Sequence, residues 1–212
     1  MSETIAGIRI PDSRIACEAT ELIRDTTTPL IYHHSRRVFL FGMLQSRVLG
    51  IEPEPELLYV AALFHDTGLV RPYRGSTQRF ELDSADTAAS FLKSSGFSEA
   101  EADTVWTAVA LHTTPEVPYK MAPVIAATTA GVETDVLGMR LDCLLDSEID
   151  AVTTVHPRPN FKNEILQAFT EGFQDRPETT FGTVNADVLE HFLPGHHHTD
   201  FVEVIKNSAW PE

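Results

Sequence analysis

Apolar residues return at every third or fourth position along most of this chain, the spacing of one face of a helix. No stretch alternates at period two for long enough to demand a sheet. The pattern predicts helices over 13–24, 30–48, 54–66, 84–95, 98–113, 117–131, 135–142, 146–154, 160–174 and about 185–192, an all-α architecture. Several boundaries carry local signals. Ser98 with Glu101 fits a capping box, Pro55 sits just inside its helix, and Asn160 is placed to cap FKNEILQAF. Gly50, Gly68, Gly96 and the pair Pro115 and Pro118 mark stops. IAGIRIP, 5–11, reads as a short extended arm.

At 212 residues and 42% hydrophobic, with no internal repeat, the chain is expected to form a single domain, 1–212, around one core. The formal charge of −15 is gathered in stretches such as EPEPE (52–56), SEAEAD (98–103) and DCLLDSEID (142–150). Such a field repels phosphate backbones and anionic lipid surfaces, so nucleic-acid and membrane partners are not expected. Most of these acids are read as solvated helix faces and first-turn carboxylates. The N-terminus lacks a basic start followed by a long apolar run, and no segment reaches the ~20 apolar residues of a membrane span, so a soluble, cytoplasmic protein is expected. Cys17 and Cys143 lack metal-ligand spacing and are read as small core residues.

One local exception in charge is LVRPYRGSTQRF, 69–80, which holds Arg71, Arg74 and Arg79 without an acid. It reads either as a basic lid that draws in an anion or as a plain solvated loop. It directly follows LFHDTG, where His65 and Asp66 end the apolar run YVAALF. Successive helical residues point about 100° apart, so these two side chains flank one point beside the helix. A charge at such a place is costly without a metal, a base or several hydrogen bonds. Upstream, His34 shares an inward stripe with Val38 and Phe41. Downstream, His112 ends a helix in line with Val105, Ala108 and Val109, and Asp135 follows APVIAATTAGV. Inward polar groups on four separate apolar helices suggest one shared site.

The order His34, His65–Asp66, Asp135 resembles the H…HD…D pattern of HD-domain metalloenzymes, an all-α fold with one or two metals at the centre of a helical bundle. YHHSRR, LFHDTG, RFELDSA, ALHTTP and AGVETDVLG are similar to the branch that contains cyanamide hydratase, with a weaker echo in the tail NSAWPE. The resemblance covers about 30–140 and leaves 141–212 as a C-terminal helical extension. It implies His34, His65, Asp66 and Asp135 as metal ligands. Binuclear relatives carry two further histidines between the doublet and the last aspartate; this chain has only His112 there, so one divalent ion is expected. Two nitrogens and two oxygens suit Zn²⁺ first, with Fe²⁺ or Mn²⁺ as alternatives.

The resemblance also places Glu81 near the metal. Asp66, His112 and Glu81 are the candidate proton-handling residues, and Thr113 and Thr128 are candidates to orient a small polar ligand. His112 has a second reading as a core histidine satisfied by a backbone carbonyl. Arg36 and Arg37 are read as orienting ligand carboxylates or pairing with acids in the bundle, and His33 as a neighbour facing another direction. The triplet His196, His197 and His198 follows Pro194–Gly195 and is read as exposed. The implied reaction is addition of metal-generated hydroxide to a small nitrile such as cyanamide, giving an amide, here urea. One alternative is hydrolysis of a small phosphate ester held by Arg71, Arg74 and Arg79. The other is a ligand-sensing helical domain without turnover. Dimerisation through 160–212 is left open.

Overall fold

The computed structural model describes residues 3–74 and 77–210; Gly75 and Ser76 of the basic loop, and the last two residues of NSAWPE, lie outside them. A two-residue turn opens the chain. Ala6 and Gly7 both adopt positive φ and join β1 (Thr4–Ile5) to β2 (Ile8–Arg9) as an antiparallel hairpin, the geometry that matches strand twist, so the expected arm folds back on itself.

Helices follow, each started by a recognisable device. Ser13 accepts a bond from the Ala16 N–H and begins α1 (Arg14–Thr26); Thr28 does the same for Ile31 ahead of α2 (Pro29–Leu49). Proline just inside the start recurs in α2, in α3 (Pro55–Phe64) and in α6 (Pro123–Leu137), where a missing N–H costs nothing. Between these, α4 (Phe80–Ser94) pairs with α5 (Glu99–Ala110), and the Ser98–Glu101 capping box forms as its pattern indicates. The C-terminal region adds α7 (Asp146–Val155), α8 (Phe161–Phe173), α9 (Asn185–Phe192) and a short α10 (Phe201–Lys206) that the periodicity did not indicate. Among the described residues, no helix is long and apolar enough to cross a membrane.

Helix α3 is the axis of the bundle. Every residue from Leu57 to Phe64 is buried, and α1, α2, α4, α5 and α6 all pack on it. The closest pairing is α2 with α6. Glycines permit it: a Cβ at Gly131 would lie 2.1 Å from the Val38 carbonyl oxygen, and one at Gly42 would lie 2.7 Å from that of Ala127. A second apolar cluster, separate from the main core, joins Ile31, Leu69 and Phe80 to Phe161, Ile165, Phe173 and Leu189 of α8 and α9.

Some boundaries differ from expectation. The predicted break between 131 and 135 is absent: α6 runs unbroken through Gly131 and ends where Gly138 turns left-handed, while 141–143 form only a 3-10 turn. Gly68 does not stop a helix through its own conformation. It lies in a 3-10 turn after α3, and a Cβ there would meet the Phe80 carbonyl. Asn160 occupies its cap position without capping a backbone N–H; its side chain accepts from the Asn163 amide. Both cysteines are exposed rather than in the core. On α1 the inward stripe is Ile15, Ala16, Ala19 and Ile23, which turns Cys17 outward, and Cys143 lies in the 3-10 turn.

Candidate metal centre

The buried ends of three elements meet beside α3. His34 sits one turn into α2 on the stripe shared by Ile31, Val38 and Phe41. His65 is the residue at which α3 closes, and Asp66 follows it immediately into a 3-10 turn. His34 Nε2 and His65 Nε2 are 3.1 Å apart, and each approaches Asp66 Oδ2, at 3.5 and 3.3 Å. All three side chains are almost completely buried. Two nitrogens at a Zn–N length of about 2.05 Å lie roughly 3.3 Å apart in a tetrahedral site. The three observed separations bracket that value, so these residues fit three corners around one ion.

Electrostatics point the same way. Among the described residues, neither carboxylate oxygen of Asp66 accepts a hydrogen bond. Burial pushes this carboxyl up, yet the imidazoles of His65, His112 and His34 outweigh it and hold it well below the usual carboxylate range. A buried anion without a donor calls for a cation. Burial also lowers His34, against the pull of Asp135; for His65, Asp66 overcomes burial and raises the imidazole.

Asp135 stands on the other side of His34. Its Oδ2 accepts from His34 Nδ1 at 2.6 Å, while Arg37 Nε and Nη2 donate to Oδ1 and Oδ2 at 2.8 and 2.9 Å. Arg158 Nε adds a bond to Oδ1 at 3.0 Å and also reaches the Asp135 carbonyl. Burial raises this carboxyl, but the His34 bond and Arg37 drive it far down. Asp135, expected as a ligand, has both oxygens engaged here by His34, Arg37 and Arg158. His112 lies two residues beyond the end of α5. Its Nδ1 donates to the Val109 carbonyl at 2.6 Å and its Nε2 is 3.5 Å from Asp66 Oδ1, so it has the backbone partner of the core reading and also faces the centre.

Glu81, buried in the first turn of α4, accepts at Oε1 from Thr113 Oγ1 (2.7 Å), Asn185 Nδ2 (2.9 Å) and Arg79 Nη2 (2.9 Å). Burial pushes it up, but Arg79 and the His112 imidazole leave it lowered overall. Thr113 is thus tied to Glu81. Thr128 donates to Val124 O of its own helix and makes no hydrogen bond to these groups. Aromatic rings pack beside the site, with Phe161 5.3 Å from the His34 ring and Phe80 5.6 Å from that of His112, centroid to centroid.

Of the basic loop, Arg79 pairs with Glu81, Arg74 bonds Asp175 and the Glu171 carbonyl, and Arg71 is exposed. Arg36 pairs with Glu3 and donates to the Tyr59 hydroxyl, and His33 meets His156. His197 and His198 are exposed and pair with Glu190. Phe161, Arg158 and Asn185 escaped the sequence reading. HPRPNF, with two prolines around an arginine, was a usable signal for the first two; Asn185 meets Glu81 across 104 positions and leaves no local trace.

No curated protein matches the chain. The HD domain profile matches residues 31–149, more than half of the sequence, from just before His34 to just beyond Asp135. HD domains are typically metal-dependent hydrolases, and His34, His65 and Asp66 form a buried group that could hold a metal ion. The chain belongs to the HD-domain family.

Proposed function

We propose that this protein adds water to a small, uncharged nitrile such as cyanamide, at a single zinc ion held by His34, His65 and Asp66. The oxygen of water bonds to the nitrile carbon and its protons pass to nitrogen, so the product is an amide, or urea from cyanamide. When bound, such an ion would supply Lewis acidity and lower the pKa of a water it binds from 15.7 to about 7. The chain's own residues do the rest. Asp66 places negative charge beside the reacting water, and Glu81, set by Thr113, Asn185 and Arg79, stands near His112 to hold or pass a proton. Phe80 and Phe161 pack against the His112 and His34 rings and present apolar surface beside them.

The observation that carries this reading is the engagement of Arg74 and Arg79 by Asp175 and Glu81, which leaves Arg71 as the exposed arginine of the loop, together with the apolar rings of Phe161 and Phe80 beside the imidazoles. A phosphate dianion needs available donors, whereas a linear neutral nitrile needs an apolar slot and one polarising group. The test is a substrate panel on zinc-loaded protein: cyanamide, aliphatic nitriles and nucleoside monophosphates. Amide or urea formation is expected. Phosphate release without amide formation would overturn the reading in favour of phosphoester hydrolysis, and binding without turnover would favour a sensor.

A further inference from the structure

We propose that the C-terminal face formed by α10 and the turn from Phe181 to Val184 is a self-association surface, covered in solution by the same face of a second copy of this chain.

The last ten described residues, FVEVIKNSAW (201–210), are all exposed, although five of them are large and apolar. Phe201, Val202, Ile205 and Trp210 are 63, 53, 58 and 86% exposed. Helix α10 has six residues, an Asp200 cap and no buried side chain. Isolated helices shorter than about 12–15 residues are marginal in water, because nucleation costs more than so few hydrogen bonds return. Within the chain, the Phe201 ring meets that of Phe181 at 6.4 Å between centroids, and Phe181 is itself half exposed. A helix this short is held by what packs on it, and that cover has to come from outside the chain.

The size of the face matches one half of a dimer interface. At roughly 150–250 Å² per aromatic side chain, the uncovered parts of Phe181, Phe201 and Trp210 alone amount to about 300–500 Å². Val184, Val202, Val204 and Ile205 add to this. A standard interface takes about 800 Å² from each partner, somewhat over half of it apolar.

Shape and charge select a second copy as the occupant. A cleft of about 610 Å³, lined by Phe181, Val184, Asp187, Asp200 and Phe201, opens between the turn and the start of α10. One surface thus carries both an exposed apolar helix and a slot beside it, the self-complementarity that a two-fold axis requires. Glu203 and Lys206 pair within α10, so each face offers both signs to the other. The acids at the cleft, in a chain of net charge −15, turn away an anionic lipid surface. The contact also braces the site, since Val184 immediately precedes Asn185, which donates to Glu81.

Sedimentation velocity of the full chain, through a dilution series in ~0.15 M salt, tests this; there a Debye length of about 8 Å screens the repulsion between two like-charged copies. A dimer at twice the chain mass of 23.5 kDa is expected. Phe201→Asp combined with Ile205→Asp alters only exposed residues, and should raise the dissociation constant about 100-fold or more, as for loss of two central anchors. Leu137→Asp, at a residue of α6 that is 66% exposed, should leave the dimer unchanged. A native chain that stays at the single-chain mass overturns the proposal, and so does a dimer that persists in F201D/I205D or is lost equally in L137D.

Discussion

Arg37 is fully buried, and the forces around it show how single residues hold the centre in place. Its guanidinium pairs bidentately with Asp135, donates to the His156 and Pro157 carbonyls, and stacks on Phe161 with Cζ 4.8 Å from the ring centroid. Removing one partner of a buried pair strands the other, so Arg37→Ala should cost roughly 3–5 kcal/mol in chemical unfolding. It should also weaken zinc binding, because Asp135 would no longer be steered onto His34. His156 makes a second prediction at this scale. Burial, with Arg36, His33 and Arg37 close by, lowers its pKa to about 3 from an unfolded value of about 6.5. Between those values the unfolded chain binds a proton that the folded one refuses, so stability is full above pH 6.5 and is lost as pH falls toward 3. His156→Gln keeps an acceptor for Arg36 without titrating. The fall in unfolding free energy from pH 7 to pH 5 should be shallower in this variant; an unchanged slope would remove His156 as the cause.

Elements matter through how closely they approach. The α2–α6 contact works only because Gly131 and Gly42 lack side chains, and it sets the spacing between His34 on one helix and Asp135 on the other. In Gly131→Ala the new methyl meets a backbone carbonyl that cannot turn aside, so the helices must part. Overpacking of this kind costs about 1–3 kcal/mol. Zinc affinity should fall with thermal stability in this variant, whereas an alanine at exposed Gly96, whose Cβ would meet nothing within 4 Å, should spare affinity. The same interface marks a limit of legibility. Periodicity located α2, α3 and α5 to within a few residues because each has a polar face or a cap to phase it. α6 is buried nearly all round, so no exposed polar face marks where it continues, and its last turn was assigned to a separate helix. The buried His65–Asp66 doublet was legible since a charge at the end of a wholly buried run has few explanations. The partners of Asp135 were not, because Arg37 and Arg158 reach it from elsewhere in the chain.

The whole molecule combines a centre built by 31–149 with a cover drawn from beyond the family match. Phe161 and Asn185 reach it from α8 and α9, and Arg176 ties the region down through Asp83 and the Gly68 carbonyl. Such contacts join positions about a hundred residues apart, which explains why composition and periodicity indicated helices there but no role. In the proposed reaction, substrate approaches inside a field set by a net charge of −15. That field distinguishes the candidate substrates before any chemistry occurs. An anion is repelled on approach, and salt relieves the repulsion, since the Debye length falls from about 30 Å at 0.01 M to about 8 Å at 0.15 M. A neutral nitrile feels no such force at any ionic strength. With cyanamide, kcat/KM should stay level across that range of sodium chloride. A marked rise with salt would mean that the encounter involves an anion, and the proposed neutral substrate would then be wrong, whatever the metal content of the protein.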